Sequence, residues 1–282
     1  MSSGWNLFVQ AETFYAQNDI DKTFEYYQKA IKKIVKDENI TAQMPIPSGS
    51  LPDNTFPTET LGAAWRNFIG FFKDPAVGKT KENSSDAYKL LYSYRPNSNS
   101  EHPRFRTDKA KLYLKGMQIT AGLTLGLLAW DGKDRPTAMK RYREALDLAA
   151  THPPYCDIAN ALEPWDRFIC KDVEAARDNL AILFKNDHEN AQLLKMFGIE
   201  GGDTRKEVLG SIGYVRYEAD GRVTFERNVV IASDACAACE KRDMKLQKCS
   251  RCKKVSYCGP GCQRAHWKKH KPVCVSTQAS RT

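Results

Sequence analysis

Seven of the nine cysteines stand between Cys236 and Cys274, in the order Cys236-x2-Cys239-x9-Cys249-x2-Cys252-x5-Cys258-x3-Cys262-x7-His270-x3-Cys274. Thiolate and imidazole are donors that suit Zn²⁺, four to an ion in a tetrahedron, so these eight positions would serve two zinc ions. Each Cys-x-x-Cys knuckle supplies paired thiolates from a tight turn. Cys258 with Cys262, and His270 with Cys274, are one helical turn apart and are expected to present pairs from one helix face. Lone Cys-x-x-Cys pairs are common, but four staggered pairs with a histidine among them are not, and this spacing argues for metal over chance or a redox dithiol.

Compartment bears on the same question. The opening MSSGWNLFVQAETF lacks the basic-then-apolar order of a secretory signal, and no run of about 18 apolar residues occurs. The expected protein is intracellular, in cytoplasm and/or nucleus, not secreted and without a membrane partner, so its thiols stay reduced. With 282 residues, 41% of them apolar, it can bury a sizeable core and is neither disordered nor fibrous.

Charge is concentrated where the cysteines are. From position 235 to the end there are 12 Lys+Arg against 2 Asp+Glu, whereas the preceding residues carry 31 against 32. That basic shell, from Lys241 to Lys271 around Tyr257 and Trp267, makes nucleic acid the runner-up partner. The case weakens because seven thiolates on two Zn²⁺ would subtract three charges, and a small zinc domain is often basic to balance its thiolates.

The metal segment needs a body to carry it. Trp5 to Asp37 divides at Asn18-Asp19-Ile20-Asp21 into two runs with helical apolar spacing, an αα-hairpin. A second copy runs from Lys109 through Asp134 and on to Pro154, with Asp134 as N-cap, Pro136 in the first turn and Pro153-Pro154 as terminator. Overlaid, Ala11, Thr23, Tyr27 and Ala30 match Gly126, Ala138, Tyr142 and Ala145, with the same steps of twelve, four and three. Small residues let paired helices approach, and the aromatic fills the gap to the next pair. This pattern resembles the tetratricopeptide repeat (TPR) family, YYQKAI and RYREAL being the most similar stretches. The usual proline after the second helix is missing from the first copy and displaced in the second.

Between the copies, Met44 to Thr58 holds four prolines and reads as an exposed linker, followed by helical signals at Leu61 to Lys73 and Asp86 to Tyr94 and a loop at 95–103. Val173 to Phe184 and Glu189 to Phe197 read as one further helix pair. Tyr214 to Ala219 and Arg222 to Ile231 flank Asp220-Gly221 and alternate as a hairpin on an Asp-Gly turn would. The expected class is therefore mainly α: a TPR-like helical domain over 1–200, a connector with a β-hairpin over 201–234, and the metal module over 235–276.

Within that module, Tyr257-Cys258, Cys262-Gln263, His266-Trp267, His270-Lys271 and Cys274 resemble a MYND-type zinc finger, a two-zinc cross-brace. The resemblance implies interleaved pairing: Cys236, Cys239, Cys258 and Cys262 on one zinc, Cys249, Cys252, His270 and Cys274 on the other. It also implies that the finger docks short proline-containing peptides against Gln263 and Trp267. The chemistry is reasonable, since an indole accepts a pre-stiffened proline ring and an amide can hold the peptide backbone. The bland alternative, that Trp267 merely caps a tiny core, carries equal weight. His266 forms His-x-x-x-His with His270, but eight better-placed donors fill two tetrahedra, which favours a structural role.

Other chemistry finds little support. MYND fingers occur in SET-domain lysine methyltransferases, yet no Asn-His-x-Cys segment is present and the region before the finger is helical. RING ligases place histidine among the middle ligands, whereas here it is seventh of eight. His102, His152 and His188 fall in loops or helix ends, where solvated or capping roles are usual, and Cys156 and Cys170 read as buried thiols. The reading is a non-enzymatic adaptor that uses the finger for one partner and the helical body for another.

Overall fold

The computed structural model describes residues 2–45, 57–132, 134–196, 214–217, 223–226, 235–241 and 246–274. It is mainly helical, with eight α-helices and two small antiparallel ribbons among those residues. Packing divides the chain into Met1–Gly132 with Arg141–Asp178, and Lys133–Lys140 with Asn179–Thr282.

In the first unit, α1 (Gly4–Ala16) starts where the Ser3 hydroxyl accepts the Asn6 N–H, and α2 (Ile20–Asp37) starts where Asp19 accepts that of Lys22. Asn18 turns the chain between them at φ 58°, a conformation that Asn tolerates better than most residues. The pair closes on Phe8, Ala11, Tyr27, Ala30, Ile31 and Ile34, all buried. Phe24 carries the packing onward: it stacks on Phe68 and Phe71 of α3 (Thr60–Lys73) at 5.4 and 5.1 Å. Tyr27 ties three helices at once, because its hydroxyl donates to Glu12 (2.6 Å) and Asn67 Nδ2 reaches the same carboxylate (2.9 Å).

The proline-rich segment leaves and returns at one point. Met44 N–H donates to the Thr58 carbonyl and Thr60 N–H to that of Ala42, with Gln43 and Glu59 bridged between them. Residues 46–56 lie outside the described residues. After α4 (Ser85–Ser93), positions 95–103 form no helix or strand and lead to α5 (Asp108–Asp131), capped by Thr107.

Helix α5 is lined with small residues because its neighbours come close. A Cβ at Gly116 would lie 2.3 Å from Ile169, and one at Gly126 would lie 2.8 Å from the Tyr142 ring. Trp65 Nε1–H donates to Thr120 (2.9 Å), and Tyr113 stacks on Trp165 at 4.4 Å while its hydroxyl donates to buried Glu59. Helix α6 (Arg135–Ala150) starts as expected, with the Thr137 N–H on Asp134 Oδ1, and ends before Pro153. Ala11, Thr23, Ala30, Ala138 and Ala145 are fully buried, but Tyr142 is half-exposed where Tyr27 is not.

Two sequence readings are corrected. The expected further helix pair is one helix, α7 (Pro164–Met196), which begins nine residues earlier than expected. Pro164 suits a first position, and the intervening Lys185-Asn186-Asp187-His188 contains neither Pro nor Gly to stop it. The thiols and imidazoles differ as well: Cys170 is buried but Cys156 is half-exposed, His102 is not solvated but stacks on Tyr94 at 4.3 Å, and His188 lies inside α7 rather than in a loop or at a helix end.

In the second unit, β1 (Tyr214–Tyr217) pairs antiparallel with β2 (Val223–Glu226), Val215 opposite Phe225 and Tyr217 opposite Val223. A two-residue turn at 220–221 would set Tyr217 opposite Thr224 instead. The observed register brings apolar positions opposite one another, which a shift of one residue would undo. The Asp220-Gly221 turn itself lies outside the described residues. No helix among the described residues is long and apolar enough to cross a membrane.

Candidate metal centre

The two knuckles are built alike. In the first, Glu240 N–H returns to the Cys236 carbonyl and Cys236 N–H donates to that of Lys241; in the second, Lys253 N–H returns to Cys249 and Cys249 N–H donates to Val255. The residue after the second cysteine is left-handed both times, Glu240 at φ 57° and Lys253 at φ 55°. Nothing in a glutamate or a lysine announces that conformation, so sequence reading missed it. The short ribbon β3 (Gln247–Lys248) with β4 (Ser256–Tyr257) fixes the second knuckle and delivers Cys258.

Helix α8 (Pro260–His270) supplies the rest. Neither of its donor pairs lies wholly on a helix face, contrary to the sequence reading. Cys258 precedes the helix, because Pro260 occupies the first turn and Gly259 before it is extended. His270 is the last α-helical residue, and Lys271-Pro272-Val273 tighten into a 3₁₀ turn before Cys274. Each pair thus joins one helical donor to one flanking donor.

The eight side chains form two groups, Cys236, Cys239, Cys258 and Cys262, and Cys249, Cys252, His270 and Cys274, with the donor atoms in each within 4.8 Å of one another. Zinc–sulfur bonds of about 2.3 Å set tetrahedral sulfurs about 3.75 Å apart. Cys239 and Cys258 are separated by 3.7 Å and Cys249 and Cys274 by 3.8 Å, while Cys258 and Cys262 are closer, at 3.1 Å. His270 turns Nε2 to Cys252 at 3.4 Å. The donors fit two Zn²⁺ ions in the interleaved order that the resemblance implied.

Local electrostatics divide the thiols. Burial opposes ionisation of Cys236, but the N–H groups of Cys258, Ala238 and Cys239 prevail and hold it to about 6. The Cys252 N–H does the same for Cys249, also held to about 6. Cys262 is pushed up to about 12 by its contacts with Cys258 and Cys239, and Cys274 to about 11 by burial and by Cys249. Packed sulfurs without a cation cannot all be anions, and two Zn²⁺ ions would supply the charge that lets all seven ionise.

Gln263 and Trp267 stand beside the second group. The Gln263 amide points Nε2 at Cys249 Sγ, 3.9 Å away, and the half-exposed Trp267 ring meets His270 at 5.9 Å and 65°. His266 is outside both groups, its Nδ1 facing the Tyr257 hydroxyl at 3.1 Å. Tyr257 is 1% exposed and offers no surface for a stacked base.

Residues 236–274 match the family model described as "MYND finger". Among curated proteins, the chain is 44% identical over 68 residues to "SET domain and MYND-type zinc finger protein 6" of Schizosaccharomyces pombe, covering 22% of this chain and 14% of that protein. It is 46% identical over 39 residues to "SET domain-containing protein 14" of Caenorhabditis elegans, covering 14% and 9%. It is 48% identical over 42 residues to "Zinc finger MYND domain-containing protein 10 homolog" of Drosophila melanogaster, covering 15% and 9%. The chain therefore spans 14% or less of the length of each of these relatives. No solved structure matches it.

Proposed function

We propose, from the premise that residues 236–274 are a MYND finger, a zinc-binding module of the protein-interaction class, that the chain is a non-enzymatic adaptor. The finger docks short proline-containing peptides across Gln263 and Trp267, and the TPR-like helical body holds a second partner. The carrying observation is that both side chains sit on α8, half-exposed, and both are keyed to the second donor group, one through Cys249 and the other through His270. The docking face exists only while that group is folded. A cleft of about 1000 Å³ in the helical unit, lined by Glu12, Tyr15, Tyr27, Arg66, Asn67 and Phe71 among others, supports a second site. Absence of an Asn-His-x-Cys segment from the sequence supports the non-enzymatic reading against methyl transfer.

The test is binding of proline-containing peptides by zinc-loaded protein. Trp267→Ala and Gln263→Ala should each abolish it with both ions retained, a loss of about 2 kcal/mol or more for a central aromatic anchor. Loss of zinc in these variants would instead assign both residues to the core. One observation favours nucleic acid as a second reading: Lys253, Lys254, Lys268, Lys269 and Lys271 are all exposed. In that case charge reversal at Lys253 and Lys254 would dominate, and affinity would fall steeply with salt.

A further inference from the structure

The two donor groups are unequally protected. Cys249, Cys252, His270 and Cys274 are all buried, whereas in the first group only Cys236 is, Cys258 and Cys262 being half-exposed and Cys239 exposed. Around the second group the finger has wrapped its remaining bulk: Tyr257 is 1% exposed, Trp267 covers His270, and the Gln263 amide N–H is directed at the Cys249 sulfur. A hydrogen bond to a thiolate withdraws electron density from its sulfur, and burial, which all four donors of the second group share, blocks the approach of an electrophile; both reduce reactivity. Cys239 lies beyond that cover, at the end of a knuckle on the solvent side.

We propose that Cys239 is a modification site for soft carbon electrophiles of the α,β-unsaturated carbonyl class, and that the first group consequently gives up its zinc before the second. The Cys239 sulfur uses one lone pair to form a bond to the β-carbon of the electrophile, and the resulting enolate takes a proton from water, with no change of oxidation state. The sulfur becomes a neutral thioether, a far poorer donor to Zn²⁺ than a thiolate. Three thiolates remain, of which Cys258 and Cys262 are only half-covered, so solvent and competing chelators reach that ion. All four donors of the second group are untouched by the step. The start of α8 is released from its anchor at Cys262 while its end stays fixed at His270 and Cys274. This inference rests on the two donor groups alone and is independent of what the finger docks.

The experiment uses the full chain loaded with two equivalents of zinc, in a Cys156→Ser background that removes the half-exposed thiol outside the groups. N-ethylmaleimide is added in limiting amount, modified cysteines are mapped by mass spectrometry, and released zinc is followed with a chromophoric chelator. Label is expected first at Cys239, with one equivalent of zinc released about tenfold or more faster than the second. Cys239→His keeps a donor but no thiolate at the exposed position, so the first phase should slow about tenfold. First label at Cys249, Cys252 or Cys274, release of both ions in one phase, or an unchanged first phase in Cys239→His would each overturn the proposal.

Discussion

The Tyr257 hydroxyl lies 3.1 Å from His266 Nδ1, joining strand β4 to helix α8 through a histidine that belongs to neither donor group. One turn on, His270 belongs to the second. His266→Ala should therefore keep both zinc ions and lower stability by about 1 kcal/mol, the usual worth of such a hydrogen bond. His270→Ala should empty the second site. Zinc content by elemental analysis checks both variants, and the reverse result would mean that the ligand is His266.

Metal loading should release protons. Without zinc the finger lacks a core of its own, and an unfolded cysteine, with a pKa of about 8.5, is mostly a thiol at pH 7, so each binding ion must displace protons from its sulfurs. Because protons and zinc compete for the same sulfurs, affinity should fall as pH falls. Calorimetric titration in buffers of different ionisation enthalpy measures the release. A buffer-independent heat would contradict this account.

A strong chelator should melt the finger and spare the helices. The finger's own core is little more than its ligands with Tyr257 and Trp267, so metal binding must supply its folding energy. Met1–Gly132 with Arg141–Asp178 has a separate aromatic and aliphatic core. Far-UV helical signal should remain largely intact as zinc is withdrawn. Its collapse would mean that the chain unfolds as one cooperative unit.

Two glycines of the helical body should respond oppositely to alanine. At Gly126 the new Cβ would meet the Tyr142 ring at 2.8 Å, so Gly126→Ala should cost about 1–3 kcal/mol through overpacking. At Gly70, inside α3, nothing lies within 4 Å, and Gly70→Ala should stabilise by up to about 1 kcal/mol through helix propensity. Denaturant unfolding of each variant decides this.

The eight metal donors were legible in the sequence because ligand chemistry is carried by residue type and spacing together, whereas their interleaved division between two ions came from the family resemblance. The left-handed turns at Glu240 and Lys253 were not, since only the hydrogen bonds closing each knuckle require them. Prolines could have moved Cys258 off the helix face in advance, for Gly259-Pro260 stands directly after it. In the body, hairpin spacing and caps located α1, α2 and α6 well. The continuity of α7 was hidden because polar residues such as Asn186 and Asp187 weaken a helix without ending it. The β1–β2 pairing sets Tyr217 opposite Val223, one residue away from the register that a two-residue turn at Asp220-Gly221 would give, so the conspicuous Asp-Gly pair did not foretell it.

The interleaving of the donors also governs the order in which a growing chain can acquire metal. As residues leave the ribosome, both knuckles appear first, and each offers two sulfurs with no partners. The first tetrahedron can close only when Cys262 has emerged, and the second only when Cys274 has followed twelve residues later. Throughout that interval the nascent finger holds one complete donor set and one incomplete set, so a chain cut between those cysteines would retain four donors for one ion and lose the surface built on the other.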